Sequence, residues 1–163
     1  MVITTYSKEE ILEILSAIAD PEIPVVSIQE IGMLRDVVVS EDGYEVLLTP
    51  TYTGCPAMGI IEADIKAILQ EKGIASVKVT LIYSPAWSTD WMSDEAKEKM
   101  RKYGIAPPAH SSCGSIFKTE QEVVCPHCSS QDTEMISRFG ATACKALYKC
   151  NSCKEPFEYF KCH

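Results

Sequence analysis

The sequence predicts an α+β chain: a small mixed sheet with helices on one face, followed by a small Cys₄ zinc ribbon. Three observations carry this reading. Two amphipathic helical stretches interleave with three β-branched runs in the order αββαβ; a third, well-capped helical stretch follows; and the tail holds two Cys-x-x-Cys pairs separated by 21 residues.

Ser7 followed by Glu10 has capping-box spacing, and Ile11, Leu12, Ile14, Leu15 and Ile18 recur at helical intervals. This first helix is expected to stop at Asp20, because Pro21 disfavours a helical residue before it. Leu34 to Val39 and Tyr44 to Leu48 are β-branched or apolar runs joined by Ser-Glu-Asp-Gly, the pattern of a hairpin. Beyond Pro56, the residues Met58, Ile60, Ile61, Ile65, Ile68 and Leu69 form a second amphipathic helix that Gly73 closes. Ala75 to Tyr83 has strand composition. Ser93 is the expected N-cap of the third helix, with Asp94 and Glu95 in its first turn and Gly104 at its end. The stretch APPAHSSCG that follows breaks every periodicity, so the expected organisation is a first domain over 1–105, a linker over 106–122 and a ribbon over 123–163.

Composition narrows the class. With 163 residues, 46% hydrophobic and 23% charged, the chain reads as globular rather than disordered or fibrous. The opening MVITTYSKEE lacks a basic segment followed by an apolar run, and no apolar stretch reaches membrane-helix length, so a cytoplasmic protein without a membrane partner is expected. Residues 1–109 carry 9 basic against 17 acidic side chains and residues 110–163 carry 6 of each, which excludes the basic field that nucleic-acid binding needs. In a reducing compartment, eight cysteines point to metal ligands or reactive thiols rather than disulfides.

The most specific local signal is Cys125-Pro-His-Cys128 with Cys150-Asn-Ser-Cys153. A two-residue gap lets one tight turn aim two sulfurs at one ion, and two such turns supply a tetrahedral Cys₄ shell. Strand-like runs at Thr133 to Phe139, Ala146 to Cys150 and Phe157 to Phe160 complete a zinc ribbon. Zinc is favoured over iron, which uses the same geometry. A closed Cys₄ shell leaves no open position for substrate, so the metal is expected to be structural. Cys113, Cys144 and Cys162, with His163, are either small buried groups or a second, labile soft-metal site. His127 is expected to face outward.

Cys55 follows a strand and precedes Pro56, which suits the first helical position; that places Cys55 at the helix N-terminus, where backbone N–H groups stabilise a thiolate. A depressed pKa and a role as nucleophile or soft-metal ligand are expected, against the alternative of a buried capping residue. Asp20-Pro21-Glu22 is by itself a carboxylate pair in a Pro-stiffened loop, more readily a solvated turn than a site. Trp87 and Trp91 are either core residues or exposed anchors for a partner.

The segments DPEIPVVSIQEIGMLRDV (20–37) and TPTYTGCPAM (49–58) resemble the domain family of cytosolic iron–sulfur assembly proteins, with its Asp-Pro-Glu loop and Thr-x-x-x-Cys-Pro element. Further along, PAWSTDWMS, GIAPP, the CPHC knuckle and the ending TACKALYKC to EPFEYFKCH resemble the PaaD family, accessory proteins of the bacterial phenylacetyl-CoA epoxidase system. The resemblance implies that Cys55 contacts an iron–sulfur cluster or a partner, with Asp20, Glu22 and Thr51 around it. It implies a non-catalytic maturation role in phenylacetate degradation, with the [2Fe–2S] and flavin-bearing reductase as the expected partner. One cysteine cannot complete a four-ligand cluster, so a homodimer, a small thiol or a tail cysteine must add ligands. The rival classes are a thiol enzyme using Cys55, a structural adaptor of the epoxidase and a nucleic-acid-binding ribbon.

Overall fold

The structure, a computed structural model, describes residues 6–108 and 122–161. It forms two compact units, 1–87 and 88–163.

The first unit begins with α1 (Lys8–Leu15). Ser7 caps it as expected: the Ser7 hydroxyl accepts from the Glu10 N–H, and the Glu10 carboxylate accepts from the Ser7 N–H at 2.7 Å. The helix ends well before Asp20. At Ser16 the chain tightens, Ile18 N–H reaching the Leu15 carbonyl, and Ala19 then leaves the helix to bridge Ser27. This tertiary pairing ends the helix before Pro21 can. The loop so closed, 20–26, is held by Asp20, whose Oδ1 accepts from the N–H groups of Glu22 and Ile23 at 2.8 Å each. A second reciprocal cap follows it, between Ser27 and Glu30, on a single turn that the Ser-x-x-Glu spacing signals.

Strands β1 (Leu34–Ser40) and β2 (Gly43–Leu48) pair antiparallel, and β3 (Val77–Leu81) joins β2 in parallel after the crossover through α2 (Ala57–Glu71). The sheet is mixed, in the order β1-β2-β3. Val37, Val46 and Leu48 are buried under α1 and α2, whose Ile11, Leu15, Ile61, Ile65 and Leu69 have no exposed surface, while Val38 on the opposite face is open. Each such side chain contributes roughly 1.5–3 kcal/mol on burial. Trp87 also belongs to this core: it is 5% exposed and its indole N–H donates to the Ile31 carbonyl at 3.0 Å. The alternative of Trp87 as an exposed anchor is therefore corrected, because the indole is sealed in. Trp91 is half-buried in a short 3₁₀ turn, Thr89–Trp91.

The hairpin requires glycine at its exit. Gly43 has φ +134°, and a Cβ there would lie 2.3 Å from the Ser76 carbonyl oxygen, which accepts the Tyr44 N–H. Gly43→Ala is expected to lower the stability of the first unit by about 2 kcal/mol, through strained backbone plus displacement of the β3 approach. Chemical denaturation of the full chain checks it; a midpoint unchanged from the parent would show that the β3 approach yields freely.

In the second unit α3 (Asp94–Tyr103) has Ser93 as N-cap and Gly104 in the left-handed region, φ +96°, as expected. Its placement differs from the sequence reading. Ile105–Ala106 form β4, which pairs in parallel with β7 (Pro156–Phe160). With β5 (Thr133–Ser137) and β6 (Lys145–Cys150) they make a sheet ordered β4-β7-β6-β5. The structure thus breaks at 87/88 where 105/106 was expected, and α3 falls in the ribbon unit because it runs almost directly into a strand of that sheet. The ribbon core is Ala106, Val123, Cys125, Ala146, Cys150, Phe157 and Tyr159. No helix among the described residues is long and apolar enough to cross a membrane.

Candidate functional site

Two sites are built, one in each unit. In the second, the four Sγ atoms of Cys125, Cys128, Cys150 and Cys153 all lie within 4.8 Å of one another. Cys125 and Cys153 sulfurs are 3.8 Å apart and those of Cys128 and Cys150 3.5 Å. A tetrahedral shell at the Zn–S bond length sets sulfurs about 3.8 Å apart, so the donor set fits zinc. Pseudo-twofold symmetry explains why. Each knuckle closes with an N–H to carbonyl bond, Ser129 to Cys125 at 2.9 Å and Lys154 to Cys150 at 3.0 Å, and Ser129 (φ 61°) and Lys154 (φ 68°) both turn in the left-handed region. The turns also aim N–H groups at sulfur: those of Cys153 and Ser152 bring the Cys150 thiol down to about 6, while burial pushes Cys125 up. Buried Cys125 and Cys150 anchor the site from the core, and Cys128 faces solvent. These four side chains would hold a zinc ion whose role is to cross-link the two knuckles.

His127 is exposed, as expected, and packs edge-on to Phe157 with ring centroids 6.5 Å apart. Of the proposed second soft-metal set, Cys144 is buried beside the Thr142 hydroxyl at 3.0 Å; Cys113, Cys162 and His163 lie outside the described residues. Sequence reasoning missed the ion pair between Lys145 and Glu158, 2.8 Å, with the Lys145 side chain 5% exposed. Against the cost of burial, Lys145 and the Ala141 N–H hold the Glu158 carboxyl below its usual range. Lysine interrupting an apolar strand run was the available signal.

In the first unit, Cys55 sits between the end of β2 and the start of α2, 8% exposed. Pro56 is the N-cap and Cys55 stands one residue before it. The structure brings Asp20, Glu22, Thr51 and Cys55 together across more than 30 residues of sequence: the thiol receives the Ala57 N–H, shares a hydrogen bond with the Thr51 hydroxyl and feels the charges of Glu22 and Asp20. The expected depression of its pKa is corrected. Burial pushes the Cys55 thiol up, the Glu22 and Asp20 carboxylates add to this, and the Ala57 and Thr51 bonds do not offset them.

Titration carries a sign that can be checked. Because the folded-state pKa lies above the ordinary 9.0, the unfolded chain loses this proton first, so the Cys55 contribution to stability is complete below pH 9.0 and declines above it. Alkylation of Cys55, with the other free thiols substituted, should show an apparent pKa above 9.0, and Glu22→Gln should lower it. A value below 9.0 would mean that the helix terminus dominates after all.

Comparison with known proteins finds a separate family for each end of the chain and leaves 82–108 outside both. Residues 8–81 match the family model described as iron–sulfur cluster assembly protein, and residues 109–161 that described as PaaD zinc beta ribbon domain. The chain is 50% identical over 153 residues, 94% of its length and 92% of the relative's, to an Escherichia coli K12 protein whose name provisionally assigns it to 1,2-phenylacetyl-CoA epoxidase as one of the subunits. It is 37% identical over 92 residues, 55% of its length and 87% of the relative's, to an Fe-S protein maturation auxiliary factor of Porphyromonas gingivalis. A crystal structure of a domain of unknown function from Bacillus anthracis superposes with TM-score 0.51 at 31% identity, covering 55% of this chain and 87% of that one. The fold and its two sites define an iron–sulfur cluster assembly domain joined to a zinc ribbon. The chain belongs to the PaaD family.

Proposed function

We propose that the chain is a maturation factor that delivers or protects an iron–sulfur cluster for the [2Fe–2S] reductase component of phenylacetyl-CoA epoxidase, acting as an accessory protein and not as an enzyme. The observation that carries this is the convergence of Cys55, Thr51, Glu22 and Asp20 at one buried point of the assembly domain. The similarity to the Escherichia coli epoxidase relative supports the pathway, and that to maturation auxiliary factors supports the cargo.

The electrostatics suit a transient ligand. Two carboxylates oppose a bare thiolate but favour an arriving cation, so Cys55 stays protonated until iron reaches it, and the Sγ–Fe bond then forms with release of the thiol proton. The cluster is cargo, completed by ligands from a partner, a small thiol or a second copy of the chain. A thiol-enzyme reading needs an activated thiolate, and the raised Cys55 pKa runs against it. In the second unit the zinc site provides a rigid platform and no reactive position.

The test is a host lacking this protein. Its epoxidase reductase should be made as polypeptide with flavin retained and the [2Fe–2S] absorption and iron content deficient. A reductase with a full cluster spectrum from that host would overturn the proposal and favour an adaptor role.

A further inference from the structure

A groove of about 520 Å³ runs between α1 and α2 in the first unit. Its floor is apolar, made by Ile14, Ala17 and Ile68, and its rim is acidic, made by Glu10, Glu13 and Glu71, with Lys72 the one cation. Two features of the rim are unfavourable within the chain. Glu13 lies in the last turn of α1 and Glu71 is the last residue of α2, and neither helix has a basic residue in its last turn. A carboxylate at a helix C-terminus meets the negative end of the dipole, at a cost of about 0.3–1 kcal/mol each. Among the described residues neither Glu13 nor Glu71 has an ion-pair partner, although other surface glutamates, Glu62, Glu95 and Glu98, do. Residues 1–87 as a whole carry 5 basic against 13 acidic side chains, which extends the same field beyond the rim.

We infer that this groove is a docking site for a partner protein's basic amphipathic segment, one that sets apolar side chains on Ile14, Ala17 and Ile68 and lysine or arginine against Glu13 and Glu71. Charge complementarity selects the occupant: an acidic or neutral segment leaves the two helix-end carboxylates opposed by their own dipoles, whereas a basic one offsets both. The apolar floor supplies what surface charge alone does not, a burial term that fixes position. The inference does not rest on the role of Cys55, which belongs to a different part of the domain.

The probe is a synthetic helical peptide with leucines at i, i+4 flanked by lysines, measured by fluorescence anisotropy against the full zinc-loaded chain; a copy with glutamate in place of lysine is the control. Glu13→Lys with Glu71→Lys should weaken binding about tenfold or more, since two compensating pairs become repulsive. Ala17→Trp, which fills the floor and changes no charge, should weaken it to a similar degree. Glu41→Lys with Asp42→Lys, in the turn between β1 and β2 and outside the groove's lining, makes the same change in net charge and should leave the affinity within about twofold. Far-UV spectra and melting of each variant verify that the fold is kept. Equal weakening by the remote pair, insensitivity to Ala17→Trp, or equal binding of the acidic peptide would each overturn the inference. Concentration-dependent self-association that Glu13→Lys with Glu71→Lys abolishes would overturn it in favour of a second copy of the chain.

Discussion

Cys150→Ser, or removal of the metal by a strong chelator, should unfold the second unit and leave the first intact. Two of the seven residues in the ribbon's core cluster are the ligands Cys125 and Cys150, so losing the metal loosens that core together with removing the roughly 10–16 kcal/mol that a structural zinc supplies. A loss of that size matches or exceeds the whole stability of a typical domain, about 5–15 kcal/mol. The extent of unfolding is the informative part. Because β4 pairs with β7 and follows α3 directly, protection should vanish from α3 and β4 together with β5, β6 and β7, while α1, α2 and the first sheet keep theirs. Hydrogen exchange read by mass spectrometry resolves this. If α3 stays protected after the metal is gone, its attachment to the ribbon sheet does not govern its stability. Metal analysis of the parent should return one zinc per chain, against iron, and close to none in the variant.

Cys55→Ser should reproduce the loss of the whole protein in the host: a reductase with flavin but little cluster, at unchanged levels of this chain. Serine nearly matches cysteine in volume, and its hydroxyl can keep the Ala57 and Thr51 hydrogen bonds that the sulfur makes, so the fold is expected to change by no more than about 1 kcal/mol. What is lost is the soft donor, and an alkoxyl oxygen does not replace it toward iron. Glu22→Gln is expected to give an intermediate defect: it removes one of the charges that favour iron, yet it makes the thiol easier to ionise. Quantified iron and sulfide in the reductase, with this protein's own melting curve beside it, is the measurement. Full reductase cluster content with Cys55→Ser would remove Cys55 from the delivery step.

Much of this chain is legible in its sequence because the features concerned close within a few residues. The Ser7 and Ser93 caps, the Gly104 terminus and the two Cys-x-x-Cys knuckles satisfy their backbone groups across three to five positions, so local spacing determined these helix ends and the turns that carry the four clustered thiols. The end of α1 was not local: it is set by the Ala19 and Ser27 bridge, which forms only once the 20–26 loop folds back. Neither was the break between units, since Ile105 and Ala106 are assigned by partners Glu158 and Tyr159, more than 50 residues away. For Trp87 the sequence favours core over surface without deciding between them, and the bond from its N–H to the Ile31 carbonyl decides for the core. Cys55 is the clearest case. Its position before a helix is a local fact and argued for a lowered pKa, whereas burial and the charges of Glu22 and Asp20 arrive through the tertiary fold and reverse the sign. Desolvation and charge act through space and not along the chain, so the sequence determined that Cys55 precedes a helix and only the folded structure decided that its thiol is held protonated.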